Sequence, residues 1–143
     1  MPRVLVVDDD RPIRNLVTTV LERRELSVDS APDGAAALKL IAENEYDVAV
    51  VDLMMPGMNG IELLEHVKRA ERHPQTIIVL TASGPGDIRQ LDAGAVHAIM
   101  RKPFDINELA DVVESAAKAG RRRETTAGTE GVNVVIFPSA EEG

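Results

Sequence analysis

Val48-Ala49-Val50-Val51-Asp52-Leu53-Met54-Met55-Pro56-Gly57 decides how this chain folds. A short, β-branched apolar run ends in one carboxylate, and a Pro-Gly turn follows at once. Such a run reads as a strand buried on both faces, the signature of a parallel sheet. Pro56-Gly57 stops it. Asp52 therefore stands where a buried strand opens onto a loop, and open parallel sheets bind ligands at that end. A lone Asp there also suits a plain strand end, so the other segments must decide.

Working outward, the same unit recurs. Arg3 to Val7 is a second buried strand, closed by Asp8-Asp9-Asp10. Ile13, Leu16, Val17, Val20 and Leu21 then recur at helical spacing, with Asp10 as cap, Pro12 in the first turn and Arg23-Arg24 at the C-terminus. Leu26 to Ala31 alternates weakly, as a short edge strand would. Asp33 caps a helix that runs through Ala35–Ile41 to about Asn44. After Asp52, Asn59-Gly60 opens a third helix carrying Ile61, Leu64 and Val67, and Pro74 closes that segment. Thr76 to Thr81 is a fourth strand. Gly84-Pro85-Gly86 resists helix, so only a short helix fits over 88–93. Residues 96–100 form a fifth strand. Asp105-Ile106-Asn107-Glu108 then starts a last helix, expected to stop near Gly120. Five β–α pairs in succession specify a parallel sheet with helices on both faces, joined by right-handed crossovers.

Bulk composition narrows the function. The 143 residues are 44% hydrophobic but only 2% aromatic, so Val, Leu, Ile and Ala must build the one core. Without Cys there is no disulfide, thiolate metal site or thiol nucleophile. The formal net charge of −8 repels phosphate backbones, which argues against direct nucleic-acid binding. No apolar run has the length of a membrane span and no signal pattern opens the chain, so a cytoplasmic protein without membrane partners is expected. His66, His73 and His97 lie apart, without metal-ligand spacing.

Four strands end in chemically competent residues: Asp8, Asp9 and Asp10 after the first, Asp52 at the third, Thr81 at the fourth and Lys102 after the fifth. The topology brings these to one edge of the sheet. Clustered carboxylates repel unless a cation intervenes, and oxygen-only ligands with retained waters favour Mg2+. Carboxylates of Asp8 or Asp9 together with Asp52 could hold the ion, with the Met54 carbonyl completing the set. Asp52 would attack phosphorus, Lys102 would hold a phosphoryl oxygen, and the Thr81 hydroxyl would donate to another.

Val-Leu-Val-Val-Asp8-Asp9-Asp10, Val-Val-Asp52-Leu-Met-Met-Pro56-Gly57, Leu80-Thr81-Ala82 and Lys102-Pro103-Phe104 together resemble the receiver domain of bacterial two-component response regulators, over about residues 3–119. The resemblance implies a flavodoxin-like, CheY-like α/β fold with strand order 2-1-3-4-5. It implies Mg2+-dependent phosphoryl transfer to Asp52 from a histidine kinase or histidine phosphotransfer protein. Asp9 and Asp52 would ligate the metal directly and Asp8 partly through water. Such a domain is a signalling phosphoacceptor rather than an enzyme, and it acts on a downstream protein target. The chain departs from the family at Ile99, three residues before Lys102, where an aromatic residue normally swings inward on activation. The segment from Thr81 to Gly94 is also short. Both departures predict an atypical switch and an altered output face.

The receiver is assigned to residues 1–119 and a linker-like tail to 120–143. Within the tail, Val132–Phe137 has high β propensity. Disorder, packing on the domain surface, and strand addition to a sheet edge, including pairing between chains as a homodimer, are its three options. The tail is too short for an output domain, so the chain is either a stand-alone receiver or part of a longer protein. Two other readings stand beside the phosphoacceptor: a degenerate receiver that binds partners without phosphorylation, and an aspartate-nucleophile phosphatase using Asp8-x-Asp10.

Overall fold

The computed structural model describes residues 1–53, 60–69, 74–81, 98–101, 105–125 and 135–137. Along the chain these form β1 (Arg3–Val7), α1 (Arg11–Arg23), β2 (Ser27–Ala31), α2 (Gly34–Glu43), β3 (Val48–Asp52), α3 (Gly60–Arg69), β4 (Thr76–Thr81), β5 (Ala98–Arg101), α4 (Ile106–Thr125) and β6 (Val135–Phe137). The strands make one sheet in the order β2-β1-β3-β4-β5-β6, and every neighbouring pair is parallel. The expected order 2-1-3-4-5 is present, with a sixth strand added beyond β5.

Strand side chains alternate between two faces, and each face has its own apolar core. Val4, Val6, Val48, Val50, Ile78, Leu80 and Met100 pack with Val17 and Leu21 of α1 and Leu109, Val113 and Ala117 of α4. Leu5, Val7, Ala49, Val51, Ile77, Val79 and Ile99 pack with Ala37 and Ile41 of α2 and Leu63, Leu64 and Val67 of α3. The continuous apolar strands of the sequence are thus explained: every residue of β3 is buried because both of its faces are covered.

Helix starts follow the expected Asp residues. The Asp10 side chain accepts from the Ile13 N–H at 3.1 Å, and Asp33 from the Ala36 N–H at 2.8 Å. Asp105 accepts from the N–H groups of Asn107 and Glu108 at 2.8 and 3.1 Å. Each satisfies backbone donors that the first helical turn leaves free.

α1 ends in a left-handed residue, Glu25, with φ of 63°. The Glu25 N–H donates to the Glu22 carbonyl at 3.1 Å, and the Leu26 N–H to the Leu21 carbonyl at 3.4 Å. This is a Schellman closure, completed by burial of both Leu21 and Leu26 in one core.

α4 does not stop near Gly120; it runs to Thr125. Arg121-Arg122-Arg123-Glu124 are good helix formers, and one interior Gly costs only about 1 kcal/mol, too little to end a helix that continues into such a run. The short helix expected over 88–93, and with it the altered output face, lies outside the described residues.

Candidate functional site

Register places the acidic residues. Val7 of β1 pairs with Val51 of β3, so the next residues, Asp8 and Asp52, leave adjacent central strands side by side. Asp52 in turn pairs with Leu80 of β4, and Thr81 with Arg101 of β5. The carboxyl ends of four neighbouring strands therefore share one edge.

Asp8, Asp9 and Asp52 each place a carboxylate oxygen within 4.8 Å of the others. Asp8 and Asp52 are buried, at 1% and 3% exposure, while Asp9 is exposed. Two like charges at that separation repel by roughly 3 kcal/mol at an effective dielectric of about 20, and by less where one is hydrated. The fold holds them together through local bonds. The Asp8 carboxylate accepts from the Asp10 N–H at 2.9 Å. The Asp8 N–H donates to the Ala31 carbonyl at 3.2 Å, and the Leu53 N–H to the Leu80 carbonyl at 3.0 Å. Three adjacent Asp residues thus have separate duties: Asp8 accepts from the Asp10 N–H, Asp9 brings a solvent-exposed carboxylate to the cluster, and Asp10 caps α1.

The donor set fits a small hard cation. Oxygens bound to one Mg2+ at about 2.1 Å lie roughly 3–4 Å from each other, close to the spacing found here. An all-oxygen set with one exposed member leaves room for the waters that Mg2+ keeps.

The other expected site residues are placed less fully. Thr81 is the last residue of β4, level with Arg101, so its backbone reaches the same edge. Lys102 directly follows Arg101 in sequence, but it and Met54 lie outside the described residues. Ile99 is 1% exposed and packs in the core beneath α2 and α3. The sequence reading missed Arg14. Its Nη1 donates to the Asp8 carbonyl at 2.7 Å, fastening α1 to the loop that carries the acids. The available signal was its position one helical turn after the Asp10 cap.

Compared with known proteins, residues 4–114 match the response regulator receiver domain family. The chain belongs to that family, a signalling family of two-component systems. Among curated relatives, the transcriptional regulatory protein ResD of Bacillus subtilis is 36% identical over 140 residues, covering 94% of this chain and 56% of ResD. Response regulator MprA of Mycobacterium sp. (strain KMS) is 42% identical over 109 residues, covering 75% of this chain and 46% of MprA. The chain thus spans about half the length of these relatives. Of solved structures, the Francisella response regulator 1452 receiver domain is 36% identical, with a TM-score of 0.75, covering 83% of this chain and 98% of that one. Response regulator TrrA of Thermotoga maritima, solved in complex with Mg2+-BeF, is 32% identical with a TM-score of 0.71, covering 81% of this chain and 99% of that one.

Proposed function

We propose that the chain is a phosphoacceptor switch in a two-component pathway. Asp52 takes a phosphoryl group from a histidine kinase or histidine phosphotransfer protein, and the modified chain signals through contacts with a downstream protein. The observation that carries this reading is the convergence of Asp8, Asp9 and Asp52 within 4.8 Å at the carboxyl edge of the sheet. Asp9 and Asp52 would hold Mg2+ directly, with Asp8 partly through water and the Met54 carbonyl completing the protein's share. When bound, the ion neutralises charge on the incoming phosphoryl group.

The chain's own residues do the rest. The Asp52 carboxylate is the nucleophile, held at the end of a fully buried strand. Lys102 pairs with a phosphoryl oxygen, and the Thr81 hydroxyl donates to another; positioning and charge neutralisation are what this transfer requires. The domain is assigned to residues 1–119 and its tail to 120–143, although the tail's first residues continue α4 to Thr125 and Val135–Phe137 join the domain's sheet as β6; the protein works in the cytoplasm. No helix among the described residues is long and apolar enough to cross a membrane. Ile99 supports an atypical switch, since a packed aliphatic side chain cannot reproduce the swing of an aromatic ring.

The phosphatase reading is weaker on this geometry. Its acid–base residue would be Asp10, whose carboxylate instead caps α1. The test is incubation with acetyl phosphate and Mg2+, followed by intact mass. The wild-type chain gains one phosphoryl group and Asp52→Asn gains none. No adduct on a folded wild-type chain would favour the degenerate receiver.

A further inference from the structure

Asp52 is the last residue of a fully buried strand, so its place in the acidic cluster is set by the sheet. Asp9 has no such support. It lies between β1 and α1 and is exposed. A ligand carried on a loop binds well only if the loop already holds it in place, because every misplaced conformer dilutes the competent one.

The backbone on both sides of Asp9 is held, and Arg14 holds it twice. Its main-chain N–H donates to the Asp10 carbonyl at 2.9 Å. Its Nη1 donates to the Asp8 carbonyl at 2.7 Å. Between these, the Asp10 N–H donates to the Asp8 carboxylate at 2.9 Å. The main-chain bond belongs to the helix and survives most substitutions. The guanidinium bond is specific to this side chain, and a charged donor makes it one of the stronger kind. The peptide unit joining Asp8 to Asp9 is planar, so fixing its oxygen fixes the direction in which Asp9 leaves it. Both ends of the clasp are firm: the Asp8 N–H is tied to Ala31 of β2 at 3.2 Å, and α1 is anchored in the core by Val17 and Leu21.

We propose that Arg14 is a positioning residue for the metal site: by holding the Asp8 carbonyl it keeps Asp9 within reach of Asp8 and Asp52, so the cluster is assembled before a divalent cation arrives. The inference rests on the reading of that cluster as a Mg2+ site. A second effect of the same residue has the opposite sign. A guanidinium beside the acidic loop repels an incoming cation, so removing its charge alone would tighten binding. Losing the clasp weakens binding, and groups that orient metal ligands are typically worth tenfold or more, against a charge effect that solvent and salt screen.

The test titrates Mg2+ calorimetrically into the metal-free full chain. Arg14→Met keeps an unbranched stem and similar helix propensity but removes every side-chain donor. It should bind Mg2+ about tenfold more weakly than the unaltered chain. Arg11→Met removes an exposed charge from the same helix start and should bind no more weakly than the unaltered chain. Hydrogen exchange without Mg2+ reads the loop itself: the Asp10 amide should exchange at least about tenfold faster in Arg14→Met, beyond any change at Leu5 and Val50 of the central strands. Unchanged or tighter Mg2+ binding by Arg14→Met overturns the proposal, and so does equal weakening by Arg11→Met. Exchange at Asp10 that stays put, or rises only in step with Leu5 and Val50, overturns it as well. An unaltered chain that binds no Mg2+ removes the metal reading and this inference with it, whereas an unaltered chain that binds no better than Arg14→Met removes the inference alone. Should Arg14→Met lose the helical circular dichroism signal, Arg14→Gln, with its shorter side chain, takes its place under the same criteria.

Discussion

At the scale of single residues, the acidic cluster sets function against stability. Asp8, Asp9 and Asp52 face each other because the register leaves them no alternative. Removing one charge should relieve the repulsion that a cation would otherwise neutralise. Asp9 is the instructive choice, being exposed and outside the buried strands. In EDTA, Asp9→Asn should melt about 3 °C higher than wild type, the shift that about 1 kcal/mol produces in a chain of this size. Excess Mg2+ should raise the melting temperature of wild type, by about 2.7 kcal/mol of stabilisation at a hundredfold excess over Kd. It should leave Asp9→Asn almost unmoved. Calorimetric scans with and without Mg2+ check both halves. Equal Mg2+ response in the two proteins would remove Asp9 from the metal set.

At the scale of elements, α1 shows how much local chemistry the sequence carries. Its Asp10 cap, early Pro12 and the buried pair Val17 and Leu21 were legible because each has a positional rule in sequence, whereas Leu16, placed on the same stripe, is 52% exposed. Its closure was not, because Glu25 occupies a left-handed position that usually selects Gly. That conformation costs a residue with a Cβ about 1–2 kcal/mol, and Gly returns part of the gain as greater freedom of the unfolded chain. Glu25→Gly should therefore stabilise the protein by about 0.5–1 kcal/mol, read from urea midpoints at unchanged slope. A loss of stability would show that the Glu25 side chain contributes more than its backbone strain costs. The end of α4 was misread for the complementary reason: Gly120 looked like a stop, but the following residues favour helix.

At the scale of the whole molecule, the edge opposite the acids is pinned by a separate polar cluster. The Tyr46 hydroxyl donates to Asp29 at 2.7 Å, and the Arg3 guanidinium lies 5.3 Å from the Tyr46 ring centre. The Arg3 N–H donates to Asp47 at 2.8 Å, tying the start of β1 to the approach of β3. Burial, then the bond to anionic Asp29, push the Tyr46 phenol well above its usual range. The folded chain therefore keeps a proton that the unfolded chain gives up above about pH 10. Stability supplied by Tyr46 is complete below that pH and falls as pH rises toward the folded value. Tyr46→Phe should cost about 1–2 kcal/mol at neutral pH and flatten the alkaline decline. Denaturant titrations at neutral pH and above pH 10 measure both; parallel declines in the two proteins would refute the assignment.

The sheet order and the acidic convergence were readable at this scale because alternating β–α units fix both. The attachment of β6 was not, since a short apolar run in a polar tail does not name its partner.

The pairing of Val7 with Val51 reaches beyond the strands that contain it. Sliding β1 by one position would turn Val4 and Val6 toward α2 and α3, and Leu5 and Val7 toward α1 and α4, wrecking two oil-filled layers together. The charged cleft is thereby indexed by grease: its carboxylates keep their spacing because neighbouring hydrocarbon forbids any other alignment. Mutational drift can lengthen or recolour the loops freely, but one residue gained or lost inside β1 or β3 would forfeit architecture and chemistry in a single step.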